Sequence, residues 1–108
     1  MGQPARIRER LAPDFAWSVP LRRNPDVCAA ELDGEVCLFH PDNAEYLNLN
    51  ATGSAIWNLL EAPTDRDALV AELLARYEVD EATCRNETEA FLAQALERGM
   101  LLEQPARV

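Results

Sequence analysis

The side chains able to carry out chemistry are few in this sequence. There is one histidine, His40, which stands before a proline in a turn-like stretch with no cysteine or carboxylate at a ligand spacing. We therefore expect a surface turn residue, not a metal ligand or a catalytic base. The three cysteines, Cys28, Cys37 and Cys84, match no motif, and their odd number argues against a disulfide framework and for a reducing cytoplasm.

Other catalytic arrangements lack the residues that they need. Ser18 and Ser54 have no sequence context typical of a nucleophile, and the one histidine lies near neither of them. The four glycines are widely spaced, so the chain has no loop that could cradle a phosphate. Glu81, Glu87 and Glu89 are typical of a solvated helix face. The sequence thus predicts no enzyme activity, no cofactor and no metal.

Charge is distributed unevenly along the chain. The formal net charge is −9, but residues 1–23 hold five arginines against one glutamate and one aspartate. That stretch therefore carries +3, and residues 24–108 carry −12. An acidic body repels phosphate, which argues against nucleic acid as a partner. No stretch is apolar enough for a signal peptide or a membrane span, so we expect a cytoplasmic protein without a membrane partner.

Residues 1–26 contain four prolines and show little periodicity. We expect a flexible or partly packed basic arm that contacts the rest of the protein through Phe15 and Trp17. A short edge strand within residues 14–21 would end at Pro20, which cannot donate to a ladder. The domain itself is predicted to span residues 27–103.

The predicted secondary structure of the domain begins with strands. Apolar runs predict three of them, at residues 27–32, 35–39 and 44–49. Asp33-Gly34 joins the first two and favours a type I′ turn, because both central residues of that turn need a positive φ. A two-residue turn places Ala30 opposite Cys37. The expected result is a three-stranded antiparallel β-meander.

Three helices follow in the predicted order. They are expected over residues 50–60, from Thr64 onward, and from Asp80 to about Arg98. Gly99 suits the C-terminal cap of the third helix, and residues 100–102 then form a short strand or an extended tail. Two helices joined by a short connection and followed by an extended segment are typical of a winged helix-turn-helix. The predicted fold class is therefore α+β.

The strand at Tyr46–Leu49 is the candidate binding element. It lies at the edge of the predicted meander, and no lysine or proline blunts it. Such an edge can accept an extended peptide as an added strand, with main-chain hydrogen bonds for affinity and side pockets for specificity. Three alternatives stay open: an edge covered by the chain's own arm, a dimerisation edge, and a winged-helix nucleic-acid-binding or regulatory domain. The glutamates of the third helix disfavour the last of these.

The order and spacing of four sequence stretches resemble those of a known protein family. The stretches are Leu32-Asp33-Gly34-Glu35, Tyr46-Leu47-x-Leu49-Asn50, Thr52-Gly53-Ser54-Ala55-Ile56-Trp57, and Phe91-Leu92 with Gly99-Met100-Leu101. Together they resemble the PqqD-like family, the leader-peptide recognition domains (RiPP recognition elements) of ribosomally made, post-translationally modified peptides. The resemblance covers residues 27–101.

The resemblance implies a non-catalytic winged-helix domain that works as a stand-alone peptide chaperone. Members bind the leader segment of a precursor peptide as an added antiparallel strand. They present it to a modifying enzyme or leader peptidase, in pathways that make lasso peptides, quinone cofactors or radical-enzyme products. Carried onto this sequence, the binding strand is Glu45, Tyr46, Leu47, Asn48 and Leu49, and the helical wall is Arg85, Thr88, Glu89 and Leu92.

Overall fold

The computed structural model describes residues 19–104, which form an α+β fold with three helices and two antiparallel sheets. The strands are β1 (Leu21–Arg23), β2 (Cys28–Leu32), β3 (Glu35–His40), β4 (Glu45–Asn48) and β5 (Leu101–Glu103). The helices are α1 (Ala51–Leu59), α2 (Arg66–Arg76) and α3 (Glu81–Glu97). Strands β2, β3 and β4 form the predicted meander in that order, and β1 pairs with β5 in a second sheet.

The hairpin of β2 and β3 has the turn and the register that the sequence predicts. Asp33 and Gly34 have φ angles of 56° and 84°, the two positive values that a type I′ turn requires. Ala30 is paired with Cys37, as expected for a two-residue turn. Because side chains alternate along a strand, this register fixes which residues of β3 face the helices.

One face of the meander packs on the helices, and the other faces outward. Val36, Leu38 and Leu47 are buried in the hydrophobic core. Phe39 and Tyr46 lie on the opposite face, with their ring centroids 4.6 Å apart. This alternation is typical of an antiparallel sheet that is covered on one side. Alternate side chains of β4 therefore pack in the core, while the strand itself lies at the edge of the sheet.

Helix α1 begins where β4 ends. The side chain of Asn50 accepts a hydrogen bond from the Gly53 N–H at 2.8 Å, which is the N-terminal cap that the sequence predicts. Further along the helix, Ile56 and Trp57 are buried in the core that supports the sheet. The first turn of α1 is thus held directly after the last residue of the edge strand.

The start of α2 differs from the sequence prediction by one residue. Asp65, not Thr64, caps this helix, since its carboxylate accepts a hydrogen bond from the Ala68 N–H at 2.9 Å. Thr64 instead exchanges backbone hydrogen bonds with Leu21, at 2.8 and 3.0 Å. The prediction is wrong here because the backbone of Thr64 pairs with a strand far away in the sequence.

Helix α3 ends in the predicted glycine cap. Gly99 has a φ of 78° and donates its N–H to the Leu96 carbonyl at 3.1 Å, and the Met100 N–H donates to the Ala95 carbonyl at 2.8 Å. These two bonds form a Schellman motif, which uses the left-handed conformation that glycine adopts without strain. The chain then enters β5, so the short strand that the sequence allowed after the helix is present.

Strand β1 lies in the stretch that the sequence assigns to the arm. Leu21 is buried in the core. The guanidinium of Arg23 donates to the Trp57 carbonyl at 2.6 and 3.1 Å and stands 4.8 Å from the centre of the Trp57 ring. Most of the predicted edge strand at residues 14–21, with Phe15 and Trp17, lies outside the described residues. From Leu21 onward the chain packs on the core.

His40 is buried, so the prediction of a surface residue is wrong. It is the last residue of β3 and is 7% exposed. Its Nδ1 accepts a hydrogen bond from the Asp42 N–H at 3.2 Å, and its Nε2 lies 3.4 Å from the side-chain nitrogen of Asn24. Asn24 also donates to the Gly99 carbonyl at 2.8 Å. Two distant segments therefore cover the ring, and local sequence around a turn carries no sign of them.

Candidate functional site

The outer edge of β4 is not paired with any other strand of residues 19–104. Across the sheet, the Leu49 N–H donates to the Val36 carbonyl at 2.8 Å. Residues that face the neighbouring strand alternate with residues that face away in an antiparallel ladder. Leu47 therefore faces β3, and the N–H and C=O groups of Tyr46 and Asn48 point outward. Four backbone groups stand along this edge, where an added strand could pair with them.

A groove of about 270 Å³ runs beside this edge. Its lining comes from β4, the start of α1 and one side of α3: Leu47, Asn48, Leu49, Asn50, Thr52, Gly53, Glu87, Ala90, Phe91 and Gln94. A Cβ added to Gly53 would lie 3.4 Å from Leu49 Cβ and 3.4 Å from Phe91 Cδ1. The missing side chain of Gly53 therefore keeps the space between the strand and α3 open.

The lining of the groove combines an apolar wall with polar groups. Leu49, Ala90 and Phe91 supply apolar surface, while Asn48 and Gln94 supply side-chain donors and acceptors. An extended segment laid along β4 would bond to the outward backbone groups and turn alternate side chains toward α3. The geometry suits the capture of a peptide strand, and it offers no nucleophile with an adjacent base.

Arg98 stands beside the start of β4, outside the lining of the groove. Its Nη1 donates to Glu45 Oε1 at 3.0 Å and to the outward carbonyl of Tyr46 at 3.4 Å. The side chains of Arg98 and Glu45 are 39% and 44% exposed. A cation therefore lies directly against the open edge, in contact with one of its four backbone groups.

The structure brings the five predicted strand residues together at this edge. Tyr46 is 64% exposed on the outer face of the sheet, and Asn48 is exposed beside it. The side chains of Leu47 and Leu49 are buried in the core, and their backbone N–H and C=O groups face β3. Glu45 is engaged by Arg98.

The four predicted helix residues do not reach the groove. Thr88 and Leu92 are completely buried in the core, and the Thr88 hydroxyl has no hydrogen-bond partner among the described residues. Arg85 and Glu89 contact α2 or their own helix. Arg85 donates to Asp67 at 3.1 Å and to Glu81 at 3.1 Å, and Glu89 accepts from Arg66 at 2.6 Å.

These ion pairs tie α2 to α3 on the side away from the groove. Hydrogen bonds from Arg66 and Arg85 hold the pKa of the Asp67 carboxyl below its usual value. Those to Glu81 and Asp67 raise the pKa of the Arg85 guanidinium. In both groups these hydrogen bonds favour the charged form. These ion pairs therefore connect α2 and α3, and the opposite face of α3 lines the groove.

Sequence reasoning missed the α3 residues that do line the groove. They are Glu87, Ala90, Phe91 and Gln94, which recur at the spacing of a single helix stripe. The residues predicted instead lie on other faces of α3: Thr88 and Leu92 face the core, and Arg85 and Glu89 face α2. One signal could have found the groove: Phe91 is a large apolar side chain flanked on its own stripe by Glu87 and Gln94.

Two further structural features are absent from residues 19–104. No group of three or more histidine, cysteine, aspartate or glutamate side chains there is arranged to hold a metal ion. Within the same described region, none of the helices has the length and apolar character needed to cross a membrane.

Residues 35–101 match the sequence profile of a family described as coenzyme PQQ synthesis protein D (PqqD). The matched span begins with β3 and ends with the first residue of β5. It therefore contains β4, all three helices and every residue of the groove lining. No curated protein matches the chain.

Two solved structures are similar to this chain. One is TbiB1 in complex with the TbiA(beta) leader peptide, at 30% identity and a TM-score of 0.69, with 79% of this chain and 99% of that chain covered. The other is a lasso peptide synthetase B1 complexed with the leader peptide, at 26% identity and a TM-score of 0.66, with coverages of 76% and 96%. The similarity thus extends over nearly the whole of both relatives.

Proposed function

The chain belongs to the PqqD family, and on this basis we propose that it binds the leader segment of a ribosomally made precursor peptide. The binding is non-catalytic and works by strand addition at the outer edge of β4. One observation carries the proposal: the outward N–H and C=O groups of Tyr46 and Asn48 stand beside an open groove. The two similar structures, each described as a complex with a leader peptide, support it.

The groove suggests how the leader segment is held. Main-chain hydrogen bonds to Tyr46 and Asn48 would fix its direction and register. Alternate side chains would then enter the space above Gly53 and press on Phe91. We propose that the helical wall is Glu87, Ala90, Phe91 and Gln94. This set replaces the wall implied by the family resemblance, whose residues face the core and α2.

Because the proposed binding is non-catalytic, the bound precursor needs an enzyme to act on it. We propose that this partner is a modifying enzyme or leader peptidase of a RiPP pathway, with lasso-peptide biosynthesis the best-supported class. The free thiols of Cys28, Cys37 and Cys84 are consistent with work in the reducing cytoplasm. We also assign α2, α3 and β5 to the winged helix-turn-helix class.

Domain boundaries follow from the same proposal. Residues 27–103 would form the leader-recognition unit, and residues 1–26 an arm whose end packs on it from Leu21. Strand β1 and the contacts of Arg23 would then fix the arm to the side of the fold formed by β5 and α1.

The test is binding of a fluorescein-labelled synthetic peptide that spans the leader of the precursor encoded beside this gene, measured by fluorescence anisotropy. The wild-type protein should bind it saturably. Asn48→Pro should abolish binding, because it removes an outward N–H from the edge while leaving the β3 pairing intact.

The opposite edge of the same sheet provides the matched control. Cys28 and Ala30 face β3 in the hairpin register, so the Ala29 N–H points outward from β2. Ala29→Pro should therefore keep the fold, checked by circular dichroism, and keep leader binding. No saturable binding by the wild type, or an equal loss in both proline variants, would overturn strand addition at β4.

A further inference from the structure

Arg98 occupies one end of the edge that the leader would join. Its Nη1 makes both contacts there, to Glu45 Oε1 and to the outward carbonyl of Tyr46. Among residues 19–104, its Nε and Nη2 make no hydrogen bond. A guanidinium carries five donors in a planar fork that matches a carboxylate. The side chain is therefore placed to take a second acidic partner when a strand lies along the edge.

We propose that Arg98 selects leader segments that carry an aspartate or glutamate, whose carboxylate takes the place of Glu45 beside the guanidinium. This inference rests on the proposed function and adds a specificity-determining residue to it. In the free protein the ion pair of Arg98 and Glu45 shields the end of the edge. In the complex the Tyr46 carbonyl accepts a backbone N–H of the leader, and Arg98 turns to the leader's acid.

The exchange is energetically accessible because the existing contacts are weak. An ion pair as exposed as that of Arg98 and Glu45 contributes little, since water and salt screen it. The 3.4 Å contact to Tyr46 is at the long limit of a hydrogen bond. An added strand excludes water from the edge, and a charge pair formed under it is screened less.

The charges near the two ends of β4 also indicate where the acid should lie. Arg98 is beside the start of β4, whereas Phe91 lies against Gly53 beyond the end of β4, and Glu87 is about one turn further from Arg98 along α3. A segment antiparallel to β4 would begin near Glu87 and end near Arg98. Glu87 repels an acid at the first position, and Arg98 attracts one at the last. The coupled carboxylate is therefore expected in the C-terminal half of the bound segment.

The experiment is a double-mutant cycle between protein and leader. The labelled leader peptide described above is made in versions with each Asp or Glu changed singly to Asn or Gln. Each version is titrated against the wild type and Arg98→Gln. One acidic position in the C-terminal half should raise the Kd about two- to fivefold with the wild type and leave it unchanged with Arg98→Gln.

Two further variants separate recognition from support of the strand. Glu45→Gln removes the internal competitor and should lower the Kd of the unmodified leader, whereas Arg98→Gln should raise it. Arg76→Gln is the matched control, because Arg76 is an exposed arginine paired with a glutamate on α2, outside the groove. Its Kd should equal that of the wild type.

The outcomes distinguish the inference from the function on which it rests. If the wild type binds but no leader acid couples to Arg98, or if Glu45→Gln and Arg98→Gln weaken binding equally, the pair only supports the strand and the inference is wrong. Leader binding by β4 would then still stand. If the wild type does not bind the leader at all, both proposals fail together.

Discussion

The hydroxyl of Ser54 accepts a hydrogen bond from the backbone N–H of Val36 at 2.9 Å, inside the buried end of the meander. The same hydroxyl lies 3.4 Å from the Leu49 carbonyl, to which it donates. It therefore stands between the two strands in a rung where the N–H of Val36 would otherwise reach Leu49 directly. The Ser54 side chain thus bridges the last backbone pair of β3 and β4, at the point where the chain passes from the edge strand into α1.

Ser54→Ala should destabilise the fold. The substitution leaves the buried Val36 N–H without its acceptor, which costs about 1–3 kcal/mol of unfolding free energy. Urea denaturation followed by circular dichroism measures it. Thr83→Ala is the control, because its hydroxyl bonds only to exposed Asp80 and its loss should cost less than about 0.5 kcal/mol. Equal stability of Ser54→Ala and the wild type would contradict this role for the rung.

Gly53→Ala tests the floor of the groove. The added methyl would touch Leu49 and Phe91 at ordinary contact distance, so the fold can hold it. Alanine also favours a helix over glycine by about 0.5–1 kcal/mol, so unfolding free energy should not fall. Leader affinity should drop about tenfold, because a methyl group takes space that a leader side chain uses. Anisotropy and denaturation on the same sample check both expectations, and unchanged affinity would place the leader elsewhere.

Thr88→Val should stabilise the protein. The Thr88 hydroxyl is fully buried and has no hydrogen-bond partner among the described residues, so it carries a desolvation cost without compensation. Valine keeps the shape and removes the polar atom, which should raise the unfolding free energy by about 1–2 kcal/mol. A lower midpoint in urea would show that the hydroxyl has a partner in solution. A change in leader affinity at constant stability would instead support Thr88 as part of the binding wall.

Asp80→Asn tests the acid sensitivity of α3. The backbone N–H and hydroxyl of Thr83 bond to the Asp80 carboxylate and hold its pKa below the usual value. The unfolded chain therefore takes up this proton first as pH falls. The stabilisation from the Asp80 carboxylate is fully present above the pKa that this group has in the unfolded chain. It is lost as the pH falls through the pKa that the group has in the folded protein. Asparagine caps a helix as well as aspartate but does not titrate in this range.

Asp80→Asn should consequently be close to the wild type in stability at about pH 6 and lose less of it by about pH 3. Urea midpoints across that range measure the difference in slope. Parallel curves for the two proteins would mean that the cap contributes nothing to the acid dependence.

Local signals account for the elements that the sequence predicted well. Asp33-Gly34 specifies its own turn, Asn50 and Asp80 cap their helices, and Gly99 ends α3, because each acts on backbone groups within a few residues. The edge position of β4 follows from the same short-range order of turn and strand.

Long-range contacts account for what the sequence missed. His40 reads as a turn residue, yet Asn24 and the Gly99 region cover it from distant parts of the chain. The helical wall that the family resemblance implies lies on other faces of α3 than the residues that line the groove. Local sequence does not show which face of α3 meets β4, because Thr88 is polar yet fully buried and Phe91 is apolar yet only partly buried.

The pairing of β1 with β5 has one more consequence. The Gln104 N–H donates to the Pro20 carbonyl at 2.8 Å, so residues 20 and 104 lie side by side. The segment of residues 20–104 therefore begins and ends at neighbouring positions, which favours its insertion into a surface loop of an unrelated host protein. The inserted segment would include the edge of β4 and the groove, so the host protein would gain the proposed leader-binding site.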